Sequence, residues 1–291
     1  MNLSDKVEEA CRSLAKAAPF RAKTGIVLGS GLGSVREAFQ AVRTVPYREI
    51  PHFPVSTVPG HRGEMIFARR DRQQFVILDG RVHCYEGYSW DQATFPARVL
   101  AGLGVTTIVV TNASGSVSRR FRPGDILLID DHIDLMWRVV GDLGGAGDLG
   151  GAPVGDPGEA GPGRPQGHVR HTVRRPYYSR RLADLAEQLA LREGVTIKRG
   201  VLLGTSGPAY ETRTEVEFAR KSGADAVTMS TVPEVTVCRQ LGVSVVGLSL
   251  ITNVAAAHDG GHEKVIDFAA TASEKLKTVI VGLVDAISQA G

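Results

Sequence analysis

Thr24-Gly25-Ile26-Val27-Leu28-Gly29-Ser30-Gly31-Leu32-Gly33-Ser34 decides the fold class of this chain. A short apolar run of β type ends in glycines and passes into a helix-like stretch, which is the opening unit of an α/β architecture. Further apolar runs follow at Phe75–Leu78, Val105–Thr111, Ile126–Ile129, Val201–Leu203, Ala226–Met229 and Val243–Ile251. Several are apolar on consecutive residues, as strands covered on both faces are. Helical stretches at 91–103, 179–193, 213–222 and 263–288 lie between or after them. An amphipathic helix is expected at 3–17, with Ser4 as its cap and Val7, Cys11 and Leu14 on one face. The alternation predicts one α/β domain over 1–291, with a mixed, mostly parallel central sheet flanked by helices.

Composition bounds the function. The 291 residues are 43% hydrophobic, enough to build a sizeable core. Lys+Arg 34 against Asp+Glu 31 leaves +3, too balanced for a protein that wraps nucleic acid or lies on a membrane. Three separated cysteines, Cys11, Cys84 and Cys238, form no CxxC pattern and no disulfide framework. No apolar leader stands in the first 25 residues and no run reaches transmembrane length, so a cytoplasmic location is expected.

One segment departs from the pattern. Residues 141–167 hold eleven Gly and four Pro, with GDLGGA repeated at 141–146 and 147–152. Such a stretch has little apolar surface to offset its ordering entropy, so a mobile surface loop is expected. Gly145, Gly147 and Gly150 match GxGxxG formally, but no strand precedes them and no helix follows, so this is no dinucleotide fingerprint. The arginines at 170, 174, 175, 180 and 181 read as a solvated surface.

The chemistry sits at the strand ends. In the opening stretch Ser34 breaks the GxGxxG spacing and no Walker lysine follows, so a free phosphate suits it better than a dinucleotide; a plain tight turn is equally open from this loop alone. Arg81 and His83 are two apart, facing one side of extended backbone, and together make an oxyanion cradle. His61 stands in the loop Val58-Pro59-Gly60-His61. Asn112-Ala113-Ser114-Gly115-Ser116 follows a strand at the place where open α/β sheets bind ligands. Tyr210-Glu211 joins an aromatic face to a carboxylate without an obvious partner, and such a pair can stack on a flat heterocycle and accept its N–H. Asn253 ends another strand as an amphoteric amide.

These pieces resemble the trimeric purine nucleoside phosphorylases. The likeness rests on Gly29-Ser30-Gly31-Leu32-Gly33, Val58-Pro59-Gly60-His61, Gly80–Tyr88, Thr111-Asn112-Ala113, Gly207–Thr212, Gly223–Val235 and Leu250–Asn253. It runs in order from about residue 24 to the end, apart from the Gly-rich segment. The resemblance implies a pentosyltransferase of the nucleoside phosphorylase fold: purine nucleoside plus phosphate gives free purine and ribose 1-phosphate. Phosphate would be held by Ser30, Arg81, His83, Ser230 and the backbone N–H of Ala113, with His61 closing over it. Tyr85 and Met229 would position the ribose, and His262 would meet its 5′-hydroxyl, with His258 as a competitor. Tyr210 would stack on the base, while Glu211 and Asn253 would read its edge and choose 6-oxopurines. His61, Glu211, Asn253 and His262 would thus carry catalysis, in a homotrimer with no metal or organic cofactor, phosphate being a co-substrate. A neighbouring subunit would add an aromatic residue, for which Trp137 is the nearest candidate.

Two rivals remain at this stage. A methylthioadenosine phosphorylase favours Asp where Asn253 stands, and a non-catalytic nucleoside or phosphate binder would not need to keep Ser30, Arg81, His83, Glu211 and Asn253 together.

Overall fold

A computed structural model describes residues 1–136, 176–256 and 262–289, without the side chains of 262–264 and 288–289. Trp137, the 141–167 segment, Arg170, Arg174, Arg175 and His258 therefore lie outside the described residues, as does the side chain of His262.

Among the described residues nine strands form the sheet, flanked by helices as expected. They are β1 (Thr24–Leu28), β2 (Gln40–Pro46), β3 (Glu64–Arg70), β4 (Gln73–Asp79), β5 (Thr107–Ser116), β6 (Ile126–Asp134), β7 (Ile197–Gly204), β8 (Ala226–Thr228) and β9 (Ser244–Val254). Their order is β2-β3-β4-β1-β5-β8-β7-β6-β9, and β9 also pairs with β5. The last five strands therefore close on themselves into a ring, with the other four as an extension. Parallel pairs join β1 to β4 and β5, β5 to β9, and β7 to β6 and β8, while β2–β3, β3–β4, β5–β8 and β6–β9 run antiparallel.

The helices are α1 (Leu3–Ala17), α2 (Trp90–Gly102), α3 (Arg180–Arg192), α4 (Arg213–Lys221), α5 (Val232–Gln240) and α6 (His262–Gln289). Leu14 of α1, Leu100 of α2 and Val235 of α5 share one buried cluster, and Leu182 of α3 with Leu276 and Ile280 of α6 share another. Apolar residues on consecutive positions are what a sheet covered on both faces requires. Among the described residues no helix is long and apolar enough to cross a membrane.

Four local expectations are corrected. Helix α1 is capped by Asn2, whose side chain accepts from Asp5 N–H, not by Ser4. The stretch after Gly29–Leu32 is a six-residue 3-10 helix, Gly33–Ala38, so its dipole is that of a short turn. Asn112–Ser116 do not follow a strand but lie within β5, kept extended by parallel pairing to β9 as far as Ser116↔Val254. Strands β2 and β3 and helix α5 were not signalled by periodicity; most of β2 is exposed, and β3 carries Glu64, Arg69 and Arg70 at its ends.

Candidate active site

The ends of β1, β4, β7, β8 and β9 converge on the middle of β5. Ser30, Arg81, His83, Tyr85, Ala113, Tyr210, Glu211, Met229, Ser230 and Asn253 line one cavity there, together with Asn112, Thr228 and Val265. Strand β8 runs against β5, with Gly115 opposite Val227, so Met229 and Ser230 return alongside Ala113. Gly115 also pairs with Asn253 across β9, and a Cβ on Gly115 would stand 3.3 Å from the Asn253 amide nitrogen. The loop Gly29–Gly33 closes the phosphate end. A Cβ on Gly29 would come within 2.7 Å of Asn112 Cα and 2.8 Å of the Thr111 carbonyl, so only glycine permits this approach.

Arg81 is 3% exposed and fully committed except at one nitrogen. Its Nε donates to both Glu234 oxygens at 2.8 and 3.0 Å, and Nη1 donates to the Thr111 carbonyl at 3.0 Å. Nη2 is buried with no partner among the described residues. A buried cationic donor left unpaired is costly, so an anion in the cavity would stabilise it. Glu234 sits in the first turn of α5, where the helix N-terminus favours a carboxylate. Just before it, Thr231 adopts φ 72° and ψ −50°, and Val232 N–H donates to the Ser230 carbonyl at 2.8 Å. This is a strained γ-turn on a β-branched residue, and strain of this kind, about 1–3 kcal/mol, collects at functional sites.

His83 is oriented from behind. Both its Nδ1 and its backbone N–H lie 2.8 Å from Glu86 Oε1, and the imidazole stacks on Tyr85 at 4.6 Å. Burial pushes the Glu86 carboxyl up, but hydrogen bonds from His83 and Thr57 outweigh it and hold it at about 2. An ionised Glu86 accepts, so His83 Nδ1 carries a proton and Nε2 is the ring atom left for the cavity. Burial, reinforced by Glu86, pushes the Tyr85 hydroxyl up to about 12, which keeps it a donor.

At the other end, the capping box of Thr212 and Glu215 fixes where α4 begins and leaves Tyr210 and Glu211 just ahead of it. Tyr210 is 48% exposed, with its face available at the rim. Glu211 does have a partner, contrary to expectation: Thr205 Oγ1 donates to it at 3.1 Å. Burial nonetheless raises its carboxyl above the ordinary glutamate value. Asn253 Oδ1 accepts from Thr252 Oγ1 at 3.0 Å, and its Nδ2 lies 3.3 Å from the Val254 carbonyl.

Two expected residues stand apart from the cavity wall. His61 is not part of it but touches Ser30, with its Nε2 2.8 Å from Ser30 Oγ. His262 opens α6, whose Val265 reaches the cavity. The structure also adds residues that carried no role in the sequence. Glu234 is 153 positions from Arg81, and no local pattern could pair them. Asn112 donates to Thr228 Oγ1 at 2.9 Å, and Thr228 in turn stands 3.3 Å from Ser230 Oγ, a polar floor joining β5 to β8.

The chain belongs to the phosphorylase superfamily, whose sequence model matches residues 23–285. It is 39% identical over 284 residues to purine nucleoside phosphorylase 1 of Geobacillus stearothermophilus, covering 97% of this chain and 96% of that one. It is 38% identical over 284 residues to the purine nucleoside phosphorylase of Bos taurus, covering 93% and 91%. Among solved structures, a schistosoma purine nucleoside phosphorylase in complex with hypoxanthine superposes with a TM-score of 0.80 at 32% identity, over 97% of this chain and 96% of that one. Within the superfamily these matches place the chain among the purine nucleoside phosphorylases, which are pentosyltransferases.

Proposed function

We propose that this enzyme catalyses reversible phosphorolysis of purine ribo- and deoxyribonucleosides, preferring the 6-oxopurines inosine and guanosine, with phosphate as co-substrate and no metal or organic cofactor. The observation that carries the phosphate half is the buried, unpartnered Nη2 of Arg81 on the cavity wall. Beside it stand Ser30, His83, Ser230 and the Ala113 backbone, a set of donors matched to an anion. His61 closes this end through its contact with Ser30. Tyr85 and Met229 are placed for the ribose, and His262 is assigned to the 5′-hydroxyl.

Cleavage of the glycosidic bond builds positive charge on the sugar, which a phosphate dianion both stabilises and attacks. The departing purine takes up negative charge, so protonation or hydrogen bonding at N7 and O6 assists it. Glu211 accepts from N1–H of a 6-oxopurine but meets a lone pair on adenine N1. Asn253 accepts from a protonated N7 and donates to O6. Tyr210 covers the base. The assembly is a homotrimer in the cytoplasm, where a neighbouring subunit completes the sugar end.

Base release from inosine, adenosine and methylthioadenosine, each with and without phosphate, tests this. Inosine should lead, with phosphate obligatory and EDTA without effect. Turnover at full rate without phosphate would indicate a hydrolase, and a preference for methylthioadenosine would indicate that branch of the superfamily. No turnover at all would indicate a binding protein.

A further inference from the structure

We propose that Arg36 is a positioning residue for phosphate, which it serves by bridging the loop of Ser30 to the turn of Arg81 through Asp79 and Glu64. The inference rests on the assignment of Ser30 and Arg81 to phosphate made above. Neither Arg36 nor its two partners lines the cavity. Arg36 belongs to the 3-10 helix Gly33–Ala38, into which the loop Gly29–Gly33 runs. One nitrogen, Nη1, donates to Asp79 Oδ2 at 2.6 Å and to Glu64 Oε2 at 2.8 Å. Asp79 ends β4 just ahead of Gly80-Arg81 and is 2% exposed. Glu64 opens β3 and stands directly opposite Asp79 in the antiparallel ladder. Two acids facing each other across a ladder repel, so this corner of the sheet calls for a cation. Arg36 brings one from a third segment of the chain. Arg62 Nε, 3.9 Å from the same Asp79 oxygen, belongs to a side chain that is 63% exposed and adds only a solvated charge.

The turn that carries Arg81 is firm. The Asp79 carbonyl accepts from Gly63 N–H at 2.9 Å, and the Gly80 carbonyl accepts from the hydroxyl of the fully buried Tyr47 at 2.8 Å. The loop of Ser30 has anchors of its own on α6. Ser34 Oγ lies 3.0 Å from Ser273 Oγ, and a Cβ on Gly31 would stand 2.5 Å from Ala269 Cβ. Those contacts fix the loop to α6, and the Arg36 bridge fixes it to the turn of Arg81. A phosphate that touches both Ser30 and Arg81 reads the spacing between the two segments directly. Donors already held at that spacing meet the anion without reorganisation.

Initial rates against phosphate at saturating inosine, beside thermal melts, test this. Arg36→Met leaves Asp79 and Glu64 facing each other uncompensated, so it should lower the melting temperature and raise the KM for phosphate by roughly three- to tenfold. The KM for inosine at saturating phosphate should change by less than about twofold, because the base end is untouched. Arg36→Met/Glu64→Gln/Asp79→Asn removes all three charges and with them the repulsion. It should recover most of the melting temperature and keep the raised phosphate KM, since the bridge is still missing. An ion pair that only stabilises the fold predicts the opposite, with phosphate kinetics returning as stability does. That result, or an Arg36→Met enzyme with wild-type phosphate KM, would overturn the proposal. In a Ser30→Ala background, Arg36→Met should add no more than about twofold, because the hydroxyl it places is gone, and full multiplication of the two single effects would also count against it. A Ser30→Ala enzyme with unchanged phosphate KM would instead sink the Ser30 assignment and this inference together. If Arg36→Met does not fold, the phosphate KM of the neutral triple variant decides the matter.

Discussion

Arg81→Ala should separate what the site does for phosphate from what it does for the fold. The side chain spans three groups: both oxygens of Glu234, the Thr111 carbonyl, and the cavity through an unpartnered Nη2. A charge-assisted hydrogen bond contributes about 1.5–3 kcal/mol. Because Nη2 is buried, the upper end applies, and about 3 kcal/mol corresponds to roughly 10²-fold in kcat/KM for phosphate. The second loss is structural, since Glu234 is left as a buried carboxylate with its cation removed. Breaking one partner of a buried pair costs about 3–5 kcal/mol, and at roughly 2–4 °C per kcal/mol for a large domain the melting temperature should fall by about 6–20 °C. Arg81→Ala/Glu234→Gln relieves the unpaired charge, so it should recover part of that melting temperature and none of the phosphate affinity. Initial rates against phosphate at fixed inosine, beside thermal melts of both variants, give the two numbers. A folded Arg81→Ala protein with wild-type phosphate kinetics would refute the reasoning, and so would a double variant that regains phosphate affinity along with its melting temperature.

Asn253→Asp replaces the O6 donor with a second acceptor, so inosine activity should fall by about two orders of magnitude while adenosine gains in relative kcat/KM; an unchanged ratio of the two nucleosides would remove Asn253 from the base end. Burial raises the Glu211 carboxyl, so it takes up a proton at a higher pH than an exposed glutamate does. The ionised acceptor is present above that pKa and lost as pH falls through it, so kcat/KM for inosine should show an acid limb that Glu211→Gln lacks; identical profiles for the two enzymes would count against the role. Gly29→Ala forces a Cβ to within 2.7 Å of Asn112 Cα, so it should destabilise the protein by roughly 1–3 kcal/mol and weaken phosphate binding, both readable from melts and phosphate titrations.

The strands that the sequence made legible are those whose surroundings are uniform. β1 is buried at all five positions, and β9 is buried over most of its length, so apolar residues fall on consecutive positions. β2 escaped notice because four of its seven residues are exposed, and its register shifts between Ala41 and Arg43. Helix α5 escaped for the opposite reason. Val232-Pro233-Glu234-Val235-Thr236-Val237 is rich in β-branched residues, yet six positions of this nine-residue helix are buried against their surroundings, and packing overrides local preference. The site follows the same division. Arg81 and His83 declared themselves by lying two apart, and Tyr210 and Glu211 by being adjacent. Glu86, which orients His83, is only three residues from it, but Glu234 is 153 residues from Arg81 and Thr228 is 116 from Asn112, so no local pattern could pair those.

The partners behind the cavity's charged groups differ between its two ends. At the phosphate end Arg81 and His83 are each backed by an acid: Glu234 behind Arg81, and Glu86 behind His83. The acids fix the direction of the donors and offset much of their charge, so the anion meets oriented N–H groups and not a bare excess of positive charge. An uncompensated cluster would hold phosphate and ribose 1-phosphate alike, and the reversible reaction proposed above would need both to leave. At the base end the logic is inverted. Glu211 has a hydroxyl at 3.1 Å and, among the described residues, no ion pair, and its carboxyl rises with burial. A carboxylate so placed would gain most from a ligand that brings its own N–H, and the proposed preference for 6-oxopurines, which carry one at N1, rests on this. On the function proposed above, fixed donors at one end and an acceptor held only by a hydroxyl at the other would orient a nucleoside between them, with its anomeric carbon toward the phosphate.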